Sequence, residues 1–247
     1  MQRLGSAATV LVLVLVLSFG PAAGAAASGR ATVLAASSLT EVLPRIDPRA
    51  RYSFSGSDTL AFQIGQGAPA DVFAAASPKY PEDLFARGLV LRPHVFATNS
   101  LVLVVPRGNP ANIVAVGDIA TPGVSLVIGD ASVPIGAYTR TVLGNLGLSG
   151  ALSNVVSNEQ DARAVLAKVA LGEADAGVVY LTDARAAGGR VRVIRLPARA
   201  QPTVRYEIAV VRGSANRPAA RAFVARVLGP AGRRALRAAG FGLPPAR

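Results

Sequence analysis

The alternation of short apolar runs with amphipathic segments is the feature that most restricts the fold of this chain. After residue 30, runs rich in Val, Leu and Ala alternate with segments whose apolar residues recur at helical spacing. This alternation is typical of α/β folds, in which helices cover a parallel sheet. It predicts strands at 31–36, 50–55, 71–75, 100–105, 124–129, 153–157, 176–180, 191–196 and 204–211. It predicts helices at 39–46, 59–66, 78–87, 134–146, 161–171, 181–187, 217–228 and 230–239.

Four of the predicted strand-to-helix junctions contain residues that begin helices. They are residues 37–41, 54–60, 129–136 and 157–162. In the first, Ser38 and Glu41 have the spacing of a capping box, which predicts a helix that starts at this serine. In the third, Pro134 suits the first turn of a helix, and in the fourth Asp161 is a good N-cap. The sequence therefore predicts four helix N-termini, each following a strand.

These junctions predict a cleft that binds an anion. A helix N-terminus presents unpaired backbone N–H groups and the positive end of the helix dipole. Open α/β sheets bind ligands outside the carboxyl ends of their strands, where such junctions lie. One junction alone is equally well explained by capping, but four in one chain favour a shared binding cleft.

The amino terminus predicts export. Residues 1–27 contain Arg3, an apolar stretch from Ala7 to Phe19, and small residues of the type found at cleavage sites. This pattern is that of a secretory signal peptide, and its apolar part is shorter than the roughly 20 residues that span a membrane. We therefore expect a periplasmic or extracytoplasmic protein that is soluble after cleavage. The chain has no cysteine, which excludes disulfides and a lipid-bearing cysteine.

The charged residues argue against two classes of function. The net charge is +12, but the arginines are dispersed except near the C-terminus, where we assign them to the solvated faces of two helices. A nucleic-acid binder more often clusters its basic residues with aromatic residues or a known motif. With His94 as its single histidine and no cysteine, the chain is poorly suited to a transition-metal site.

Several segments resemble a known family, in order and along essentially the whole chain after residue 30. They are Ala35-Ala36-Ser37-Ser38-Leu39-Thr40, Ser57-Asp58-Thr59-Leu60, Gly67-Ala68-Pro69-Ala70-Asp71-Val72-Phe73, Asn99–Pro106, Val133-Pro134-x-Gly136-x-Tyr138 and Gly177-Val178-Val179-Tyr180-x-Thr182-Asp183-Ala184. These segments are similar to those of the periplasmic molybdate-binding proteins of ABC transporters.

The resemblance implies a type II periplasmic-binding-protein fold with two α/β lobes, each a mostly parallel sheet flanked by helices. Two crossover strands, near 98–105 and 204–211, would join the lobes. Lobe 1 would comprise residues 28–99 and 208–247, and lobe 2 residues 100–207. The implied function is capture of molybdate, and also tungstate, for a membrane permease, by a monomer that is not an enzyme and needs no cofactor.

The resemblance also implies the site. The oxyanion contacts of the family fall on Ser38, Ser57, Ile135, Ala162 and Tyr180. The serines would offer hydroxyl and N–H groups, Ile135 and Ala162 backbone N–H groups, and Tyr180 its phenol. Molybdate would thus be contacted through its oxygens, with no direct ligand to the metal. The segment between the two serines is shorter than usual in the family and contains Pro44, which makes the length of its helix uncertain.

Other functions remain open at the level of the sequence. A receptor of the same fold could bind sulfate or an organic acid, although a carboxylate ligand usually requires an arginine, and Arg140 and Arg163 are near the junctions. Asp58 could accept a hydrogen bond from a protonated oxyanion, but a role at the helix dipole is favoured. A hydrolase using Ser38 or Ser57 with His94 lacks the expected nucleophile motif. A domain that only interacts with a membrane partner is the remaining alternative.

Overall fold

The computed structural model describes residues 29–244 and contains two five-stranded sheets flanked by helices. The predicted signal peptide, residues 1–27, lies outside the described residues. The strands are β1 Thr32–Ala36, β2 Arg51–Ser55, β3 Val72–Ala75, β4 His94–Asn99, β5 Leu101–Pro106, β6 Leu126–Gly129, β7 Val155–Glu159, β8 Ala176–Tyr180, β9 Val191–Arg195 and β10 Val204–Val210. The α-helices are α1 Leu43–Ile46, α2 Ser57–Gly65, α3 Lys79–Ala86, α4 Pro134–Asn145, α5 Ala162–Leu171, α6 Leu181–Ala186, α7 Arg217–Leu228 and α8 Pro230–Ala238. None of the helices in this part of the chain is both long enough and apolar enough to cross a membrane.

The two sheets have the same design. The strand order is β2-β1-β3-β10-β4 in the first sheet and β7-β6-β8-β5-β9 in the second. In the first sheet β10 runs antiparallel to both of its neighbours, and in the second sheet β5 does so. The other four strands of each sheet therefore share one direction, and the predicted two-lobed, mostly parallel α/β fold is confirmed.

Two segments connect the sheets. The first is the β4–β5 junction, where β4 ends at Asn99 in one sheet and β5 begins at Leu101 in the other. The second is residues 196–203, between β9 and β10. The side chain of Gln201 joins the two connections, since its amide accepts from the N–H of Leu101 (2.9 Å) and donates to its carbonyl (2.8 Å).

The predicted lobe boundary after residue 207 does not coincide with the boundary between the sheets. Val204 pairs with Asn99, and Glu207 pairs with Ala75 and Val95, all in the first sheet. The whole of β10 thus belongs to the first sheet. The sequence could not place this boundary because Val204–Val210 forms one uninterrupted strand pattern.

The predicted continuous helix at 39–46 is wrong. Ser37–Leu39 form a 3₁₀ turn, and a separate four-residue helix, α1, begins at Leu43. Pro44 explains the break, since it lacks an N–H and is tolerated only in the first turn of a helix. The capping box is absent as well: Ala36 is the N-cap residue, and no side chain caps the turn.

Two strands also differ from the prediction. β4 was not predicted, because its polar ends, His94 and Asn99, resemble a loop that leads into the apolar β5. The strand expected at 153–157 lies at Val155–Glu159, because residues 149–154 form 3₁₀ turns. The remaining strands and helices match the predicted elements, with ends that differ by at most two residues.

Buried apolar residues form one cluster that extends through both lobes and two smaller clusters under the outer helices. The large cluster includes Val33 of β1 and Leu103 of β5. One small cluster lies between the first sheet and α2 and α3, and the other between the second sheet and α5 and α6. Burial on both faces explains why the strands β1, β3, β5, β6 and β8 are nearly continuous apolar runs.

Candidate functional site

The five predicted site residues lie together in one cleft between the lobes. The cleft, together with the open solvent at its mouth, has an empty volume of about 210 Å³, and its walls include all five. They are Ser38, Ser57, Ile135, Ala162 and Tyr180. The first four follow β1, β2, β6 and β7 respectively, and Tyr180 is the last residue of β8. The sheets therefore bring five separate chain segments to one place, at the edge where open α/β sheets bind ligands.

The first lobe contributes the two serines, both buried. Ser57 is the first residue of α2, so its N–H has no partner within the helix. Its Oγ accepts the N–H of Ala76 (3.1 Å), which leaves the hydroxyl hydrogen available to a ligand. Ser38 lies in the 3₁₀ turn after β1, and its Oγ is 2.9 Å from the hydroxyl oxygen of Tyr206.

The second lobe contributes the N-termini of α4 and α5. Ile135 is the second residue of α4, after Pro134, and Ala162 is the first residue of α5. Asp161 caps α5 by accepting the N–H groups of Arg163 (2.8 Å) and Ala164 (3.0 Å), as the sequence predicted. Ala162 is the first residue of α5, so its own N–H has no acceptor within the helix. The Asp161 carboxylate accepts from Arg163 and Ala164 and leaves this N–H free for a ligand.

Tyr180 has an unpaired hydroxyl on the wall of the cleft. The residue ends β8, is 1% exposed, and its hydroxyl has no hydrogen-bond partner within residues 29–244. Burial, with the nearby Tyr206, Tyr138 and Asp183, raises its pKa well above the usual value. The phenol is therefore neutral at physiological pH and can donate a hydrogen bond. A buried hydroxyl without a partner is unfavourable, so this group is well suited to a ligand.

No cationic side chain lines the cleft among the described residues, and Asp161 is the one acidic residue there. Arg163 lies in the first turn of α5. Its side chain turns away to Asp183, with Nε 2.9 Å from Oδ1. Neither of these two atoms makes a hydrogen bond with a described residue, so the contact is an ion pair. Arg140 donates to the carbonyl groups of Gly129 (3.0 Å) and Gly136 (3.1 Å).

The lobes touch around the rim of the cleft. The Ser132 hydroxyl of the second lobe donates to Asp58 of the first (3.0 Å), and the Tyr80 hydroxyl of the first lobe donates to the Ser132 carbonyl. On another side, Arg163 lies 3.7 Å from Glu41. Asp58 thus contacts the opposite lobe and does not line the cleft.

The hydroxyl groups and helix N-terminal N–H groups that face the cleft donate hydrogen bonds and carry partial positive charge. They can therefore bind an anion without a cationic side chain. Between residues 29 and 244, no group of three or more His, Cys, Asp or Glu side chains could hold a metal ion. His94 lies exposed on β4 and does not line the cleft.

Two supporting residues, Asn99 and Tyr206, were not predicted. The Asn99 amide donates to the Tyr206 hydroxyl (3.3 Å), which in turn contacts Ser38. Asn99 stands at the first connection between the sheets, and Tyr206 lies in the middle of β10. Their separation from Ser38 along the chain left no sequence pattern that could link them to the site.

Comparison with known proteins identifies the family of this chain and its relatives. The model of the bacterial extracellular solute-binding protein family matches residues 31–242. The molybdate-binding protein ModA of Mycobacterium tuberculosis (strain H37Rv) is 40% identical over 194 residues, which cover 78% of this chain and 73% of that protein. ModA of Escherichia coli (strain K12) is 36% identical over 233 residues, which cover 87% and 90%.

A solved structure has the same fold. The periplasmic molybdate-binding protein of Azotobacter vinelandii matches with a TM-score of 0.77 at 24% identity, covering 87% of this chain and 100% of that one. The resemblance inferred from the sequence motifs is therefore confirmed, and the proteins concerned are solute-binding proteins and not enzymes. This chain belongs to the family of bacterial extracellular solute-binding proteins.

Proposed function

We propose that this protein captures molybdate, and also tungstate, outside the cytoplasm and delivers it to the membrane permease of an ABC transporter. The observation that carries the proposal is the set of neutral donors from both lobes around one cleft, which no cationic side chain of the described residues lines. The similarity to proteins named for molybdate binding supports the choice of ligand.

The chemistry of molybdate fits these donors. The dianion is fully deprotonated at neutral pH, so its oxygens only accept hydrogen bonds. Neutral donors can satisfy these oxygens without a buried cation, whose removal from water would cost free energy. An organic acid, by contrast, is usually bound by an arginine, and Arg163 is engaged with Asp183.

The proposed ligand contacts are the hydroxyls of Ser38, Ser57 and Tyr180 and the backbone N–H groups of Ile135 and Ala162. The two serines belong to the first sheet's lobe and the other three residues to the second. Ligand binding would therefore hold the lobes together, and their separation would release the anion to the permease. We also propose that residues 1–27 are removed on export and that the mature protein acts as a monomer.

Thermal melts with a panel of oxyanions test the ligand. At a ligand concentration about 1,000 times the dissociation constant, one-site linkage adds roughly 4 kcal/mol to the free energy of unfolding. For a chain of this size, the melting temperature should rise by about 8–16 °C. We expect this rise with molybdate and tungstate, and a much smaller rise with sulfate and phosphate.

Two outcomes would contradict the proposal. A rise with sulfate equal to that with molybdate would favour a general receptor for tetrahedral dianions. No rise with either molybdate or tungstate would exclude both as ligands. Calorimetric titration at the same pH gives the dissociation constants, and scattering with and without ligand should show a smaller radius of gyration in the bound state.

A further inference from the structure

A chain of hydrogen bonds leads from the first connection between the lobes to the candidate ligand site. The Asn99 amide nitrogen lies 2.9 Å from Thr182 Oγ1 and 3.3 Å from Tyr206 Oη. Tyr206 Oη lies 2.9 Å from Ser38 Oγ, and both of these residues are buried. Ser38 lines the cleft, whereas Tyr206 and Asn99 stand behind it.

The donor and acceptor in each of these hydrogen bonds can be assigned by starting from the Asn99 amide. The N–H of Ser100 donates to Asn99 Oδ1 (3.0 Å), which identifies the other end of the amide as the NH₂ group. Asn99 therefore donates to Tyr206. Burial raises the pKa of Tyr206 well above its usual value, so the phenol keeps its one hydrogen. The distance between the two oxygens allows either to donate, but the other contact of Tyr206 Oη among the described residues is the Asn99 donor, so the phenol hydrogen is directed to Ser38 Oγ.

Tyr206 is held in this orientation by aromatic packing. The rings of Phe96, Tyr180 and Phe241 meet its ring edge to face, with centroids 6.1, 5.7 and 5.4 Å away. The residue is 0% exposed, so water does not compete for its hydroxyl. The packing therefore fixes the position of the phenol oxygen beside Ser38 Oγ.

We propose that Tyr206, oriented by Asn99, is a positioning and specificity-determining residue that makes the Ser38 hydroxyl a donor to the ligand and not an acceptor. Because Ser38 Oγ already accepts the phenol hydrogen, its own hydrogen points elsewhere, into the cleft. One of the two lone pairs of Ser38 Oγ is then occupied, so a ligand oxygen that carries a proton would find a poorer acceptor at this position. The inference rests on the proposed function and adds a means by which protonated oxyanions bind less tightly.

Ser57 also accepts a hydrogen bond on its hydroxyl oxygen, but from a backbone group. Its Oγ accepts the backbone N–H of Ala76 (3.1 Å), so its hydroxyl hydrogen is also directed away from that bond. Both serines of the first lobe thus have an oxygen occupied by a donor from behind. The backbone donor at Ser57 cannot be removed by substitution, whereas the side-chain donor at Ser38 can.

The test is the substitution Tyr206→Phe, which removes the phenol oxygen and keeps the ring. Loss of one neutral hydrogen bond from the chain should weaken molybdate binding by roughly three- to tenfold. Inorganic phosphate near neutral pH carries a proton, from which the freed Ser38 oxygen can accept a hydrogen bond more readily. The ratio of phosphate to molybdate dissociation constants should therefore fall by more than the loss in molybdate affinity alone.

Two controls separate positioning from a general effect on the fold. Tyr52→Phe removes a hydroxyl of the same lobe that donates to the carbonyls of Leu43 (2.9 Å) and Asp47 (2.7 Å), and should leave both dissociation constants unchanged. In a protein that already carries Ser38→Ala, Tyr206→Phe should cause no further loss of molybdate affinity, because Tyr206 acts through Ser38.

The failures of the inference and of the proposed function are distinguishable. If the unmodified protein does not bind molybdate, the proposed function is wrong. If it binds molybdate but Tyr206→Phe leaves the phosphate-to-molybdate ratio unchanged, or weakens binding equally with Ser38→Ala present, the inference alone is wrong. Should Tyr206→Phe prove unstable, Asn99→Ala leaves the ring packing intact and should lower the same ratio; an unchanged ratio there overturns the inference.

Discussion

Replacing Tyr180 by phenylalanine should weaken molybdate binding and leave the stability of the ligand-free protein unchanged or slightly higher. The substitution removes one oxygen and leaves the buried ring, which packs 5.7 Å from the ring of Tyr206. No described residue accepts from or donates to the Tyr180 hydroxyl. The change therefore breaks no hydrogen bond within residues 29–244, and its cost should appear only when a ligand is bound.

The expected magnitudes follow from the environment of this hydroxyl. A hydrogen bond to a charged group contributes about 1.5–3 kcal/mol, so molybdate affinity should fall by roughly 10- to 150-fold. A buried polar group without a partner costs about 1–3 kcal/mol. Without ligand, the free energy of unfolding should therefore stay the same or rise, and the melting temperature with it.

Calorimetric titration and ligand-free thermal melts of the same two preparations provide the measurement. The variant should bind molybdate more weakly and melt no earlier than the unmodified protein. Unchanged affinity would show that the phenol does not contact the anion. A fall in ligand-free stability of more than about 1 kcal/mol, which for this size of chain is roughly 2–4 °C, would show that the hydroxyl has a structural partner after all.

Two further predictions concern closure of the lobes and pH. Gly56→Ala should weaken molybdate binding and prevent the ligand-induced fall in the radius of gyration, because the added Cβ would overlap the Gln160 carbonyl of the opposite lobe. Gly108→Ala, with open space around its Cβ, is the matched control. Equal molybdate affinity and equal scattering of the two variants would contradict this reasoning. Burial raises the pKa of Asp183 to about 7 despite the nearby Arg163, so the folded state binds its proton more tightly than the unfolded state. The contribution of this group to the free energy of unfolding is fully present below about pH 4 and is lost as the pH rises to about 7. In urea titrations at several pH values, Asp183→Asn should reduce this decline. An identical pH profile of the variant would show that Asp183 does not cause it.

The elements and the five residues that meet at the candidate cleft could be predicted because each depends on local sequence or on a motif. Pro134 and Asp161 begin α4 and α5 as predicted, since proline suits a first turn and aspartate caps one regardless of the surroundings. Gly172 ends α5 in the left-handed conformation, which glycine adopts without strain. The resemblance to a known family then named the site residues, and the structure brings all five to one cleft.

The interactions of those residues could not be predicted, because they depend on groups distant in the sequence. Ser38 and Glu41 have the spacing of a capping box, yet Ser38 contacts Tyr206, 168 residues away. A buried phenol offers a better partner than a turn that Pro44 has shortened, so the tertiary contact overrides the local pattern.

The sequence by itself determined the α/β class, the strand-to-helix junctions and which residues stand at them. The tertiary structure alone decided which hydroxyl hydrogens face the cleft and which charges do not. Arg163 stands beside the cleft in sequence, but the buried carboxylate of Asp183 draws its side chain away. The direction of a hydroxyl or a guanidinium is set by its nearest polar partners, and in this protein those partners come from other strands and helices, brought near only by folding.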